Sequence, residues 1–285
     1  MALLFGFSFV ATKFALRSIP PFTLIFLRFS LASLFLGVIY YYTRRTTPLL
    51  RGDRWRLLFA SLIVPGLYFL AETYGLKLSS ATSVSLLIST IPIFAALFAF
   101  LVMKEKIGLW RGVAIFLSIL GVAIIIPGDR GELAAWKMVQ LGNLFGLGAA
   151  VCAGLYMAIG RHLMSRHSPL TITTFQAFFA AAIFLPLAGM ERVAHRWENL
   201  EPLTILAVLY LAFFCSVLAF FLWNYGISRL EASKAAVFTN LVPVFTFIGA
   251  SLFLGEKIHL EQVIGGGLVI GGVSLASATK GSHSR

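Results

Sequence analysis

Charged residues are scarce in this chain of 285 residues. Asp, Glu, Lys and Arg together make up 12% of it, whereas soluble domains usually carry roughly 25%. Hydrophobic residues make up 59%, which exceeds what a soluble core of this size needs and indicates helices covered by lipid. The net charge is +12, but no basic segment with interleaved aromatics lies outside the apolar runs. Nucleic acid is therefore excluded as a partner, and the lipid bilayer is expected instead.

Cysteine and the common catalytic motifs are almost absent as well. Cys152 and Cys215 both lie in apolar runs, and no CxxC or Cys/His spacing supports a zinc site or a disulfide framework. We therefore expect neither a metal nor a cofactor. The sequence has no Walker motif for ATP-driven pumping and no HExxH. It also offers no paired Asp or Ser/His dyad at one depth, which a membrane-embedded enzyme would need.

Long apolar runs dominate the chain. A helix needs about 17–25 apolar residues to cross a hydrocarbon layer of about 30 Å. Runs of this kind predict an all-α membrane protein with ten transmembrane helices and a polar tail at 279–285. The predicted spans are 2–17, 22–42, 55–76, 80–103, 109–127, 138–160, 169–190, 202–225, 232–254 and 260–278.

The second half of the chain repeats the first at an offset of 151 residues. Residues 74–122 align with 225–273 without a gap, and 15 of the 49 pairs are identical. Each half, 1–127 and 138–278, contains five predicted spans, and an odd number of crossings makes the second half enter from the opposite side. Inverted repeats with a site between them are typical of secondary transporters.

The distribution of basic residues predicts the orientation in the membrane. If the N-terminus lies inside, the cytoplasmic loops hold fourteen Lys and Arg residues and the other side holds seven. Basic residues are retained in cytoplasmic loops. We therefore expect a multi-pass protein of the cell membrane (the inner or plasma membrane) with both termini in the cytoplasm.

The same motifs recur at equivalent positions of the two repeats. They are Ala81-Thr82, Pro92 and Glu105-Lys106 in the first half and Ala232-Ser233, Pro243 and Glu256-Lys257 in the second, each before a glycine-rich span. This pattern resembles the EamA branch of the drug/metabolite transporter superfamily. Leu27-Arg28-Phe29 and the opening run from Gly6 to Lys13 are also similar. The resemblance implies a small-molecule transporter with its substrate pathway among spans one, three, four, six, eight and nine. Phe5-Gly6 departs from the Trp-Gly that is usual in the family.

Pro92 and Pro243 lie near the middle of spans four and nine, at equivalent positions. Proline removes a backbone donor and kinks a helix. Polar backbone groups exposed by a kink must face protein or a watery cavity. The two prolines therefore indicate kink or gating positions that border a cavity, unless they only shape helix packing.

Lys13, Arg28 and Glu72 are ionisable residues inside predicted spans, where charge is costly and usually functional. Glu72 is a candidate for a carboxylate that titrates during transport or holds a zwitterionic or cationic substrate. The alternative is an ion pair among the three residues that fixes helix packing, with the basic chains reaching to the surface.

Aromatic and small polar residues complete the predicted substrate site. Tyr68 and Tyr156 are expected in it, as are Trp223 and Asn224, although Trp223 could instead belong to an interfacial aromatic belt. Ser89 and Asn240 occupy equivalent positions three residues before the two prolines, with Ser85 one turn earlier. We expect this pair near the bilayer centre, where transporter sites lie; its alternative role is to join helices by hydrogen bonds.

Two further patterns have structural interpretations. Glu105-Lys106 and Glu256-Lys257 are expected to form solvated ion pairs at helix ends. Gly267 and Gly271 have the spacing of closely packed membrane helices. They would allow span ten to pack either against span five or against a second copy of the chain. The protein is therefore expected to be a monomer or a homodimer.

The sequence therefore favours a secondary transporter that moves small organic solutes by alternating access, exporting amino acids or related metabolites. The alternative is a membrane-embedded enzyme or a membrane module that transports nothing.

Overall fold

The structure is a computed structural model that describes residues 1–43, 52–103, 109–126, 133–194, 201–229 and 241–278. Within these ranges every secondary-structure element is a helix, and the helices form ten segments. In chain order they are α1 Ala2–Ala15, α2 Pro21–Thr43, α3 Asp53–Leu78, α4 81–103, α5 Leu109–Ile125, α6 Leu133–Arg166, α7 Pro169–Ala194, α8 202–229, α9 Val242–Leu254 and α10 Leu260–Ala278.

The length and composition of these segments are those of a multi-pass membrane protein. In the described part of the chain, α2, α3, α4, α6, α7 and α8 contain helices long and apolar enough to cross a membrane, whereas α1, α5, α9 and α10 contain shorter apolar helices. Large apolar side chains also cover the outside, such as Leu34, Phe116 and Leu252 at 67%, 60% and 72% exposure. The predicted all-α membrane class is confirmed, and the number of crossings stays a prediction.

Several segments are interrupted by wider turns or by short breaks in the helix. In α3 the helices Asp53–Ser61 and Tyr68–Leu78 are joined by wider π-helical turns at Leu62–Leu67, where Val64 has an extended backbone (φ −135°, ψ 113°). In α4 the helices Ala81–Ile88 and Ile91–Met103 are separated at Ser89 and Thr90. Segment α8 carries π-helical turns at Leu211–Ala219 between Pro202–Tyr210 and Phe220–Arg229. Such turns often mark functional sites in helices.

The helices pack in pairs that are related by the sequence repeat. Segment α2 packs along α7, and α5 packs along α10. Segments α3 and α4 of the first half pack on α6, and α8 and α9 of the second half pack on α1. Each half therefore supplies one helix, α1 or α6, to the packing of the other half.

Glycines allow the closest helix crossings. A Cβ at Gly6 of α1 would clash with Phe245 of α9, and a Cβ at Gly154 of α6 would clash with Phe94 of α4. In the α5–α10 pair, Gly121 lies against Gly265, and Gly272 lies against Ser118. At the two glycines with the predicted spacing, 267 and 271, an added Cβ would meet no described atom within 4 Å, so different glycines of α10 make this contact.

Candidate functional site

A cavity lies among the inner faces of α1, α2, α3, α4, α6, α8 and α9. Its apolar walls include several phenylalanines, and its polar groups come mainly from α2, α3, α4 and α6. The lining residues are Phe5, Ser8, Phe9, Arg28, Val64, Tyr68, Phe69, Glu72, Ser85, Ile88, Ser89, Ile91, Ala153, Tyr156, Phe220, Trp223 and Val242. An apolar pocket with a few convergent polar groups is typical of small-molecule sites.

Glu72 projects into this cavity from α3. The residue is 4% exposed, and no described residue hydrogen-bonds to its Oε2. Arg28 and the Tyr68 hydroxyl interact with the carboxylate electrostatically, but among the described residues no basic nitrogen lies within 4.0 Å of it. A buried carboxylate oxygen without a donor is costly. Glu72 is therefore available to a ligand that brings a donor.

Arg28 is buried on α2 and held on two sides. Its Nε donates a hydrogen bond of 3.0 Å to the Ser216 hydroxyl of α8. Its guanidinium lies over the rings of Phe69 and Phe29, with the central carbon 4.5 Å and 5.5 Å from the ring centroids. Contacts of a cation with aromatic faces partly replace its lost hydration. The guanidinium is thereby fixed beside the cavity without a described carboxylate in direct contact.

Lys13 does not join the pair of Arg28 and Glu72. Its Nζ lies 3.7 Å from Glu256 and donates to the carbonyl of Ser79. The proposed ion pair among all three intramembrane charges is therefore wrong for Lys13, because the side chain is directed toward the start of α4 instead. Arg28 and Glu72 interact electrostatically without a close ion pair.

Glu256 corrects a second expectation. Its carboxylate accepts hydrogen bonds from the backbone N–H groups of Ala81 and Thr82 at 2.8 Å and 3.2 Å, and from the Thr82 hydroxyl at 3.0 Å. A carboxylate at a helix N-terminus is stabilised by free N–H groups and the helix dipole. Glu256 is thus a helix cap with a Lys13 partner and not a solvated ion pair. Its repeat counterpart Glu105 lies outside the described residues.

Tyr156 and Asn224 meet in a buried polar network next to the cavity. The Tyr156 hydroxyl donates to Asn224 Oδ1 at 3.2 Å, and Gln176 donates to the Tyr156 hydroxyl at 2.9 Å and to the Val64 carbonyl at 2.8 Å. Asn224 in turn donates to Thr173 and Gln176. Tyr156 also lines the cavity, whereas Asn224 does not. The polar groups of Asn224 are therefore used inside the protein.

Trp223 and Tyr68 both line the cavity. For Trp223 this position agrees with the predicted substrate site and not with the alternative of an interfacial aromatic belt. Tyr41 and Tyr42, in contrast, are 74% and 78% exposed, which is the exposure that a belt requires.

Ser85 and Ser89 line the cavity from α4. Their hydroxyls donate to carbonyls of their own helix, Thr82 at 2.9 Å and Leu86 at 2.6 Å. A serine that bonds within its helix keeps acceptor capacity for a ligand. Asn240, the predicted counterpart of Ser89, lies outside the described residues, so the pair of Ser89 and Asn240 stays a prediction.

The two prolines lie beside the cavity without lining it. The helix break at Ser89 and Thr90 comes two residues before Pro92, and the adjacent Ile91 lines the cavity. Pro243 lies in the first turn of Val242–Gly249, next to the lining residue Val242.

Some residues of the site were missed by sequence reasoning. Phe5, Phe9 and Phe220 form apolar walls. Nothing in the local sequence distinguishes these phenylalanines from the others in the apolar runs. Pro65, which follows the break at Val64, was also missed. Gln176 had a usable signal, because an isolated amide in an apolar span is expected to hydrogen-bond across helices.

A further buried charge, Asp53, lies away from the cavity. Asp53 accepts from His167 Nε2 at 3.1 Å and lies 3.4 Å from both Arg56 and Arg166. This cluster ties the start of α3 to the connection between α6 and α7. Across the described residues no three His, Cys, Asp or Glu side chains are grouped to hold a metal ion.

Comparison with known proteins matches two segments, 1–126 and 140–278, to the EamA-like transporter family. An uncharacterized transporter of Archaeoglobus fulgidus is 32% identical over 97% of this chain and 94% of its own. The uncharacterized transporter YetK of Bacillus subtilis is 30% identical over 94% and 82%. A protein of Escherichia coli called "Probable amino-acid metabolite efflux pump" is 26% identical over 96% and 91%. A crystal structure covering 96% of both chains has a TM-score of 0.63 at 20% identity, which shows the fold alone.

Proposed function

As a member of the EamA-like transporter family, this chain is a transporter of small solutes, and we propose that it exports amino acids or related metabolites by alternating access. One observation carries the proposal. The cavity encloses a Glu72 carboxylate oxygen that no described residue hydrogen-bonds and a fixed Arg28 guanidinium, between largely apolar walls. Ionisable groups inside a membrane protein mark substrate or ion pathways. The relatives are transporters and not enzymes.

Repeat-related contacts support alternating access. Phe94 and Phe245 are 151 residues apart, and each packs on a glycine of the other half's first helix, Gly154 and Gly6. The α5–α10 crossing shows the same reciprocal packing between the halves. Gly121 and Gly272 are also 151 residues apart, and each contacts the opposite helix. Two halves related in this way can rock about a site between them. We therefore propose ten crossings in two inverted halves.

The hydrogen bonds of Glu256 support a closed state on one side. The Lys13, Glu256 and Thr82 side chains join α1, α4 and the connection between α9 and α10. Gln262 of α10 adds hydrogen bonds of 3.2 Å and 2.9 Å to the hydroxyls of Ser80 and Ser83. We refer to Lys13, Glu256, Thr82 and Gln262 as the latch. With both termini in the cytoplasm, as we propose, the latch closes the external side of the cavity.

The names of relatives support amino acids as the substrate class. Besides the Escherichia coli protein, a protein of Streptantibioticus cattleyicolor that is 28% identical over 68% of this chain is called "Probable terminal-alkyne amino-acid exporter". A carboxylate and a guanidinium in one cavity can bind the two charged ends of an amino acid.

Counterflow in proteoliposomes tests this function without knowledge of the coupling ion. Liposomes containing the full chain are loaded with one unlabelled solute and diluted into a trace of the same labelled solute. The panel comprises amino acids, biogenic amines, organic acids, nucleosides and sugars, with protein-free liposomes as the control. We expect saturable accumulation of at least one amino acid. Monodisperse, helical protein that moves no solute of the panel would contradict the proposal.

A further inference from the structure

Glu72 and Arg28 are arranged in the cavity as two separate binding points for charged groups. Among the described residues Glu72 Oε2 has no donor, and Arg28 lies outside direct ion-pair distance of it, although the two interact electrostatically. Opposite charges that only stabilised the fold would gain most in direct contact. Each charge is therefore available to a charged group of a ligand.

The donors of Arg28 are only partly used. A guanidinium has five N–H donors, and the described residues accept one hydrogen bond from it, the bond from Nε to Ser216. The rings of Phe69 and Phe29 lie against the group. The terminal nitrogens are thus free to form the paired hydrogen bonds that a carboxylate accepts.

The rest of the cavity is apolar where a ligand's side chain would lie. Phe5, Phe9, Ile88 and Phe220 line it, and Trp223 adds an indole ring. A third charged group on the ligand would have no described partner among these lining residues. Burial of an apolar side chain against such walls is favourable.

We propose that the cavity binds a zwitterionic amino acid with an apolar or aromatic side chain, its ammonium group at Glu72 and its carboxylate at Arg28. This proposal rests on the proposed transport function. An ammonium group supplies a hydrogen-bond donor to Glu72 Oε2. A carboxylate accepts hydrogen bonds from the terminal nitrogens of Arg28. A neutral zwitterion also leaves the buried site with no net charge, whereas a simple amine or a simple acid leaves one protein charge unanswered.

The test on the unaltered protein uses three probes of similar shape. L-Phenylalanine carries both charges, phenethylamine lacks the carboxylate and 3-phenylpropionate lacks the ammonium group. Counterflow of labelled L-phenylalanine is measured at pH 7.5 with each unlabelled compound as competitor, and L-leucine tests an aliphatic side chain. We expect each single-charge compound to compete at least about tenfold more weakly than L-phenylalanine, since one charged hydrogen-bonding contact changes affinity by about one order of magnitude or more.

Two variants assign the ends of the ligand. Glu72→Gln should weaken L-phenylalanine about tenfold while leaving 3-phenylpropionate little changed, so that the preference between them falls. Arg28→Gln should lower the preference for L-phenylalanine over phenethylamine in the same way. Glu261→Gln and Arg17→Gln change exposed residues of the same types and should leave both preferences unaltered. Thermal melting in detergent shows whether each variant is folded.

The outcomes separate this inference from the proposed function. Counterflow of another class of solute with none of L-phenylalanine or L-leucine would overturn the inference and leave transport intact. Equal competition by all three compounds would also overturn it, as would equal weakening of all three by Glu72→Gln. Absence of any counterflow would count against the transport function itself. If both variants fail to fold, the probe series on the unaltered protein still decides.

Discussion

Glu72 and Trp223 are 151 residues apart, at equivalent positions of the two sequence repeats, and both line the same cavity. The repeat thus places one carboxylate and one indole at related positions around a shared space. Related helices make rocking between two states possible. The unlike side chains make the cavity itself asymmetric.

Removal of the latch carboxylate should open the external side. In Glu256→Gln the hydrogen bonds to Ala81 and Thr82 weaken, and Lys13 loses its ion pair. We expect a cysteine at Ser85, in a background without Cys152 and Cys215, to react with an impermeant external thiol reagent about tenfold faster. Lys257→Gln, which changes the neighbouring charge, serves as the control. An unchanged labelling rate would show that the latch does not govern access.

The crossing of α6 and α4 should tolerate only glycine. In Gly154→Ala the new Cβ would meet Phe94 and the backbone of Ala95, and overpacking costs about 1–3 kcal/mol. We expect a lower melting temperature in detergent. Gly148→Ala on the same helix meets no described atom within 4 Å and should be neutral or stabilising by about 0.5–1 kcal/mol. Equal melting temperatures for the two variants would contradict this contact.

The neighbours Trp223 and Asn224 should have different roles. Trp223→Ala removes part of the cavity wall, so we expect a change in the KM of counterflow with a smaller change in stability. Asn224→Leu leaves Tyr156, Thr173 and Gln176 without the partner they share, which costs about 1–3 kcal/mol for each buried orphan. Its melting temperature should fall while KM in the surviving protein stays the same. The reverse pattern would place the substrate at Asn224.

Topology is open to a direct experiment on whole cells. A cysteine placed at position 48, in a Cys152- and Cys215-free background, should be shielded from an impermeant thiol reagent, because that loop is rich in Arg and predicted to be cytoplasmic. A cysteine at position 197 should be labelled. Protection at 197 and labelling at 48 would reverse the orientation and place the latch on the cytoplasmic side.

Much of the framework was predictable from local pattern. The span predicted at 22–42 is the helix Pro21–Thr43, and the span predicted at 169–190 begins at Pro169, where the helix continues to Ala194. Apolar runs of this length specify helices because a lipid environment requires backbone groups to bond within the segment. The span predicted at 138–160 is longer, Leu133–Arg166, because polar residues at its ends continue the helix beyond the apolar run.

The sequence alone determined the membrane class, the family, the 151-residue repeat and the rare charges that a bilayer makes costly. Only the tertiary structure decided how those charges are used. It paired Lys13 with Glu256 across 243 positions of the chain and directed Asn224 into a hydrogen-bond network. It also placed Glu72 Oε2 beside a fixed Arg28 without a hydrogen-bond partner in the described part of the chain. Hydropathy and repeat position depend on neighbours along the chain. The partner of a buried polar group depends on which helix faces cross, and that is set by close contacts such as Gly6 with Phe245.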